Sequence, residues 1–290
     1  MTLRVRLAMG IARTVLVFTV FLMLATPALA HHVEKRFDVD ARPVVIVRNP
    51  SGRIEFRSSK NPEVVVVGDH DSDKVEVDAW KMGNRVEVVT RVLSRDVKPA
   101  DLQASYTITV PEETEVQVHA ESGSVLVGRV SGDLRFDTVT ADVQLQDVAG
   151  RLVVRTVGGS VVCLRCSGRI EVNSISGSAK FLESPLESIF VQTSRGNIYF
   201  EGSFLPQGVY TFKNYRGLID VRFSGSDSFD LSANSMYGTV ENQANLKPHT
   251  HGRSKTAPTS AKSLIGTFNE GHARVTLSSF NGTIRIRKRD

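Results

Sequence analysis

Amphipathic helical periodicity is almost absent from this chain, which leaves no basis for a helical bundle or a coiled coil. Long hydrophobic runs are nearly absent too. The one stretch that qualifies, TVLVFTVFLMLA at 14–25, is short against the ~20 residues needed to span a bilayer. No Ser-His-Asp arrangement or phosphate-binding loop occurs, so nothing local announces hydrolysis or nucleotide chemistry. Cysteine is scarce, with two residues in 290, and a strong excess of one charge is missing as well. The whole chain has 36 Lys+Arg against 31 Asp+Glu. Three of those arginines (Arg4, Arg6, Arg13) lie in residues 1–30, which hold no acid, so the rest stands at 33 against 31. That near balance argues against a nucleic-acid-binding protein. The basic character that remains is local, in Arg285, Arg287, Lys288, Arg289 and the 247–262 loop.

Residues 1–30 read as a signal peptide: a basic start, the apolar run, then Ala28-Leu29-Ala30 as a small-x-small cleavage site that leaves His31 first. The expected location is periplasmic, outer-envelope associated or secreted, without an integral membrane span. An uncleaved anchor is the alternative.

What the chain does have is strand patterning. Val, Ile, Thr and Phe alternate with polar residues in short runs, as in Arg53-Ile54-Glu55-Phe56 and Leu134-Arg135-Phe136-Asp137. The chain also has a period. Gly123, Ala141, Gly159 and Gly177 follow one another at intervals of 18 residues, in the phrases AESGSV, TVTADV, TVGGSV and SISGSA. The series continues more loosely through Gly196, Gly217, Gly238 and Gly282, and reaches back to Gly52. A fixed period of this length predicts an all-β parallel β-helix or β-solenoid with coils of about 18–21 residues.

Aligned at 18 residues, Val125, Val143, Val161 and Ala179 form one apolar column, and Val127, Leu145, Cys163 and Phe181 a second. Three more follow: Leu134, Leu152, Ile170; Phe136, Val154, Val172; and Val139, Val157, Ile175. All five are expected to point inward, where each residue stacks on its equivalent one coil away at about 4.8 Å. The glycine column marks a corner that needs positive φ or close backbone approach. A polar column, Asp133, Arg151, Arg169 and Glu187, reads as exposed ion pairs between coils. Residues 31–115 are expected to form a more irregular β-rich cap and 116–290 the regular coils. Residues 241–263, polar and holding Pro248 and Pro258, are expected to be a flexible insertion that interrupts the period, since Gly238 to Gly282 is 44 residues, about the length of two coils.

This ordered set resembles the bacterial putative adhesin family, exported repeat domains of uncharacterised function. The residues that carry it are Val47-Arg48-Asn49-Pro50-Ser51-Gly52-Arg53-Ile54, Tyr106-Thr107-Ile108-Thr109-Val110-Pro111, the Ser-Gly-Ser-Val phrases, and Gly271 through Arg285. The resemblance runs from about residue 37 to the end. It implies a parallel β-helix-like fold and no catalytic residues.

Several smaller constellations carry a plain structural reading. Cys163-Leu164-Arg165-Cys166 has redox-motif spacing, but no helix is expected there to stabilise a thiolate. Both cysteines fall in apolar columns and read as buried small hydrophobes, with a local disulfide as the alternative. Asp69, Asp71 and Asp73 open like a calcium loop, yet Lys74 and Trp80 stand where that loop needs Gly and a carboxylate. His249 and His251 lack a third ligand. No cofactor or metal is implied. The corner column just before the glycine is more suggestive: Arg195 and Arg216 in successive coils, followed by Tyr237, make a stripe that could engage an anionic glycan or another protein.

β-Helices also host polysaccharide lyases and hydrolases, whose chemistry needs carboxylates about 5–10 Å apart. Here Asp133, Asp142 and Asp147 fall in columns without a second acid in the adjacent coil. The expectation is a non-catalytic, adhesin-like envelope module that binds a surface glycan or an envelope protein. A structural envelope part without a ligand comes next, and a polysaccharide-active enzyme last.

Overall fold

The computed structural model describes residues 31–244, 246 and 262–289. Among these, strands account for nearly all regular structure, and a 3-10 turn at Pro99–Leu102 is the exception. The expected signal peptide, both insertion histidines and most of the insertion fall outside the described residues.

The chain opens with β1 (His31–Asp38), β2 (Val44–Asn49), β3 (Arg53–Ser59), β4 (Glu63–His70), β5 (Val75–Met82), β6 (Arg85–Val92) and β7 (Ala104–Pro111). The regular middle follows as β8 (Glu115–Ala120), β9 (Ser124–Gly128), β10 (Ser131–Thr138), β11 (Asp142–Gln146), β12 (Ala149–Thr156) and β13 (Val161–Leu164). It continues as β14 (Ser167–Ser174), β15 (Ala179–Leu182), β16 (Leu186–Thr193) and β17 (Ile198–Gly202). The last strands are β18 (Val209–Phe223), β19 (Phe229–Ser235), β20 (Thr239–Gln243), β21 (Ser263–Phe268) and β22 (Ala273–Lys288).

The middle is a β-solenoid. Parallel pairing runs at the sequence period: Val125 pairs with Val143, Val143 with Val161, and Val161 with Ala179. On the facing sheet Leu134 pairs with Leu152, and Leu152 with Ile170. Four of the five apolar columns are buried, and their two rows meet face to face to form the core. Each such Val, Leu, Ile or Phe contributes about 1.5–3 kcal/mol by leaving water. The fifth column does not turn inward. Val139, Val157 and Ile175 are exposed, because the corner after Thr138 breaks the two-residue alternation that holds within a strand.

Two kinds of corner close each coil. One is a short bend whose first residue is left-handed: Arg129, Asp147, Arg165 and Glu183 have φ between 49° and 56°. The other contains the glycine column and is held by a hydroxyl beneath it. The backbone N–H of Gly159 donates to Thr156 Oγ1 (2.9 Å), that of Gly177 to Ser174 Oγ (2.8 Å), and that of Gly196 to Thr193 Oγ1 (3.0 Å). Close approach is the common reason for glycine here: a Cβ on Gly177 would stand 1.9 Å from the carbonyl oxygen of Gly159. A second glycine column, Gly132, Gly150 and Gly168, also repeats at 18 residues and combines positive φ with the same crowding.

Cys163 and Cys166 form a disulfide across a corner of one coil, with Cα atoms 5.9 Å apart, well inside the range a disulfide needs. The reading as two free buried thiols is thereby corrected. Crowding between stacked strands is no obstacle, since both cysteines belong to the same turn. Of the polar column, Arg169 meets Glu187 at 3.6 Å.

The ends depart from chain order. At the start, β2 lies between β8 on its inner side and β6 on its outer side, and β3 lies between β9 and β7, all parallel. The β6–β7 coil, later in sequence, is therefore farther out than β2–β3. Antiparallel β5 covers β6, β4 covers β7, and β1 covers β4. At the other end β22 pairs with β18 on one side and with β19 and β20 on the other. Antiparallel β21 then covers β19. Gly282 thus sits between Gly217 and Gly238, so the last corner glycine in the sequence is not the last along the stack.

Candidate interaction edge

The glycine-bearing corners stack into one long edge. Backbone bonds fix its order: Val157 N–H donates to Val139 O, Ser194 N–H to Ile175 O, Met236 N–H to Ser279 O and Tyr237 N–H to Phe280 O. Strand register carries the same column through Tyr215 to Phe280. The outermost rung is consequently Val139, Val157, Ile175, Ser194, Tyr215, Phe280 and Met236. Apart from Ser194, these side chains and the neighbouring Tyr237 are between 37% and 61% exposed. Six of the twelve large hydrophobic side chains exposed among the described residues lie on this one line, and a seventh, Tyr237, lies beside it.

The aromatic end is ordered by its own contacts. Tyr215 and Phe280 stack at 4.4 Å between centroids, and Tyr237 meets Phe280 edge-on at 5.0 Å. Arg216 lies over Tyr215 at 5.7 Å. At the aliphatic end, Val139, Val157 and Ile175 floor a shallow groove of ≈ 560 Å³ with Asp137, Arg155 and Asn173 on one wall.

Of the sequence-derived stripe, Arg195 and Arg216 stand on adjacent coils, while Tyr237 is separated from Arg216 by Asn281, because β22 intervenes. Sequence reasoning missed the apolar rung itself. Its signal was present in Val139, Val157 and Ile175, but was assigned to the core. Tyr215, Phe280 and Met236 stand in the same position two residues before their glycines, but their order along the edge follows only from the placement of β22.

Charge on the edge is one-sided. From Arg155 to the outermost coil, the four columns at the corner hold no carboxylate, but do hold Arg155, Arg195, Lys213 and Arg216. None of the four has a carboxylate partner among the described residues; Lys213 instead lies over Phe190 at 5.4 Å. Acids appear at the other end of the edge, in Glu121, Asp137 and Asp142. Asp137 is engaged by Arg135 at 2.8 Å, and Asp142 accepts from Ser160 N–H at 2.7 Å.

Several cations on the stack's flat surfaces are matched within the molecule. Arg287 pairs with buried Asp220, Arg285 with Glu241 at 2.7 Å, and Arg222 with Glu201 at 3.4 Å. On the opposite corner Arg165 binds Asp147 at 2.6 Å, and that hydrogen bond holds the carboxyl below its ordinary range. Asp69 is held by His32 Nδ1 at 2.7 Å. No group of three or more metal-binding side chains is assembled among the described residues, and no helix there is long and apolar enough to cross a membrane.

A family model described as Toastrack DUF4097 matches residues 45–287, and the chain belongs to that family. Among solved structures, a putative adhesin from Bacteroides fragilis NCTC 9343 has the same fold at 13% identity. It covers 88% of this chain and 97% of its own, with a TM-score of 0.53. A putative adhesin from Parabacteroides distasonis ATCC 8503 is similar at 11% identity over 89% of this chain and 98% of its own, with a TM-score of 0.45. No curated protein matches the chain.

Proposed function

We propose that this Toastrack-family chain is a non-catalytic, adhesin-like module of the cell envelope, and that the apolar edge is its contact surface. The observation that carries the reading is the alignment of exposed Val139, Val157, Ile175, Tyr215, Phe280 and Met236 on one line of the stack, with Tyr237 beside it. A contiguous apolar strip rimmed by polar residues is costly to keep in water and is a common mark of an interaction site. Export is the finer part of the proposal. It is supported by the leader-like residues 1–30 and by a disulfide that suits an oxidising compartment. A non-catalytic role is supported by acids that are matched to cations on their own or neighbouring coils.

The test is binding of labelled residues 31–290 to whole cells and to isolated envelopes. We expect Tyr215→Ser with Phe280→Ser and Tyr237→Ser to weaken binding by about tenfold or more, as loss of a central aromatic cluster does at other interfaces. Binding that persists undiminished in this folded variant would move the contact surface elsewhere.

A further inference from the structure

We infer that the edge holds a linear, carboxylate- or sulfate-bearing polysaccharide laid along the axis of the stack. The inference rests on the reading of this edge as the contact surface and adds its ligand class.

The first argument is charge. From Arg155 to the outermost coil the four corner columns hold no carboxylate, and Arg155, Arg195, Lys213 and Arg216 project there, Lys213 and Arg216 from the same coil; Asp137, beside Arg155 in register on the preceding coil, is engaged by Arg135 at 2.8 Å. Uncompensated cations on one line complement a polyanion, and each surface ion pair gained adds a small, salt-sensitive increment. The second is symmetry. Equivalent side chains recur at the strand spacing of about 4.8 Å, so the six rungs from Val157 to Met236 span about 24 Å. A receptor that repeats by short translation fits a ligand that does the same.

The third is the mixture of groups. Val157 and Ile175 offer aliphatic contact, while Gln192 and Asn173 line the same groove with hydrogen-bonding side chains, Asn173 donating one bond to Glu171 and keeping its amide oxygen for a ligand. A sugar chain presents the matching set: C–H faces, hydroxyls and, in an acidic polymer, fixed negative charge.

The same details disfavour a nucleic acid. Single strands are held by bases stacked on free aromatic faces. Here the faces of Tyr215 and Phe280 are turned to each other, Tyr237 closes on Phe280, and Arg216 covers Tyr215. Four cations are also sparse for a partner that carries one charge per about 1.7 Å of duplex.

The experiment uses residues 31–290 over immobilised alginate, neutral dextran and single-stranded DNA of similar length, at about 50 and about 300 mM NaCl. Expected is binding to alginate at least about tenfold tighter than to dextran or DNA, falling about tenfold at the higher salt. Arg155→Ala with Arg195→Ala and Arg216→Ala should cost about tenfold or more, while Arg165→Ala on the opposite corner should leave binding unchanged. Circular dichroism of the triple variant should match the parent, since all three side chains are solvent-facing.

DNA binding equal to or tighter than alginate binding would overturn the inference, as would alginate binding indifferent to the triple substitution. A chain that ignores all three polymers would overturn it too. If cell binding is lost in the Tyr215, Phe280 and Tyr237 variant but is untouched by the arginine triple and by excess alginate, the anionic ligand is wrong while the edge stands.

Discussion

Between Ser131 and Gly202 each coil rests on the coil that precedes it in the chain, whereas at either end the stack and the sequence part company. The β2–β3 coil is covered by β6–β7, and the β22 coil is covered by β19–β20. In the middle, a residue finds its neighbour 18 or 19 positions away and the sequence repeat alone sets the register. At the ends, an exposed row of strand N–H and C=O groups would invite edge-to-edge association. The chain there folds back to supply antiparallel cover from β5, β4 and β1 at one end and from β21 at the other. Repetition builds the shaft, and departures from repetition finish it.

The contrast can be broken most severely by removing residues 273–290. That deletion takes a layer from within the stack, and we expect loss of the cooperative thermal transition by circular dichroism together with aggregation on size exclusion. Deleting His31–Asp38, the largely exposed outermost strand, should leave one cooperative melt only slightly displaced.

Glycine substitutions sharpen the comparison at smaller scale. Gly150→Ala places a Cβ 2.2 Å from the Gly132 carbonyl oxygen at φ +117°, and should cost about 2–4 kcal/mol in urea unfolding. Gly83→Ala, in an end hairpin at φ +61° with open space around it, should cost about 1 kcal/mol.

Alkaline pH separates the regions by another route. Tyr106 in an end coil and Tyr210 in β18 are buried, and burial pushes both hydroxyls up to about 12, whereas residues 115–182 contain no tyrosine. A folded-state pKa above the unfolded value of about 10 means that the stabilisation is complete below pH 10. It is lost as pH rises through 12, by about 2–3 kcal/mol for each tyrosine. Urea midpoints measured across this range should fall in the parent and fall less in Tyr106→Phe with Tyr210→Phe.

The smallest effect is expected in the middle. Replacing both cysteines by Val, as the equivalent Val127 and Val130 allow, should cost about 2 kcal/mol or less, because the bridge closes a very short loop.

Much of the shaft was legible because a buried ladder needs an apolar residue at every repeat, and Leu134, Leu152 and Ile170 supply it. Reading failed where alternation stops. Val139, Val157 and Ile175 sit just past a strand end, so their hydrophobicity marks an exposed rung and not a core position. The Gly132, Gly150 and Gly168 column was visible at the same spacing, but was obscured by the more conspicuous phrases around Gly123 and Gly159. Spatial order at the ends was not legible, since a period identifies equivalent residues without saying which of them touch. That is why Phe280 could be recognised as a corner residue, yet not as the ring between Tyr215 and Tyr237.

The position of β22 has a consequence for biosynthesis. A ribosome delivers Phe229–Gln243 before Ala273–Lys288, so the outermost tier exists before the tier beneath it. Until β22 is in place, those earlier residues lack their parallel floor, and closure of this end of the stack waits for it.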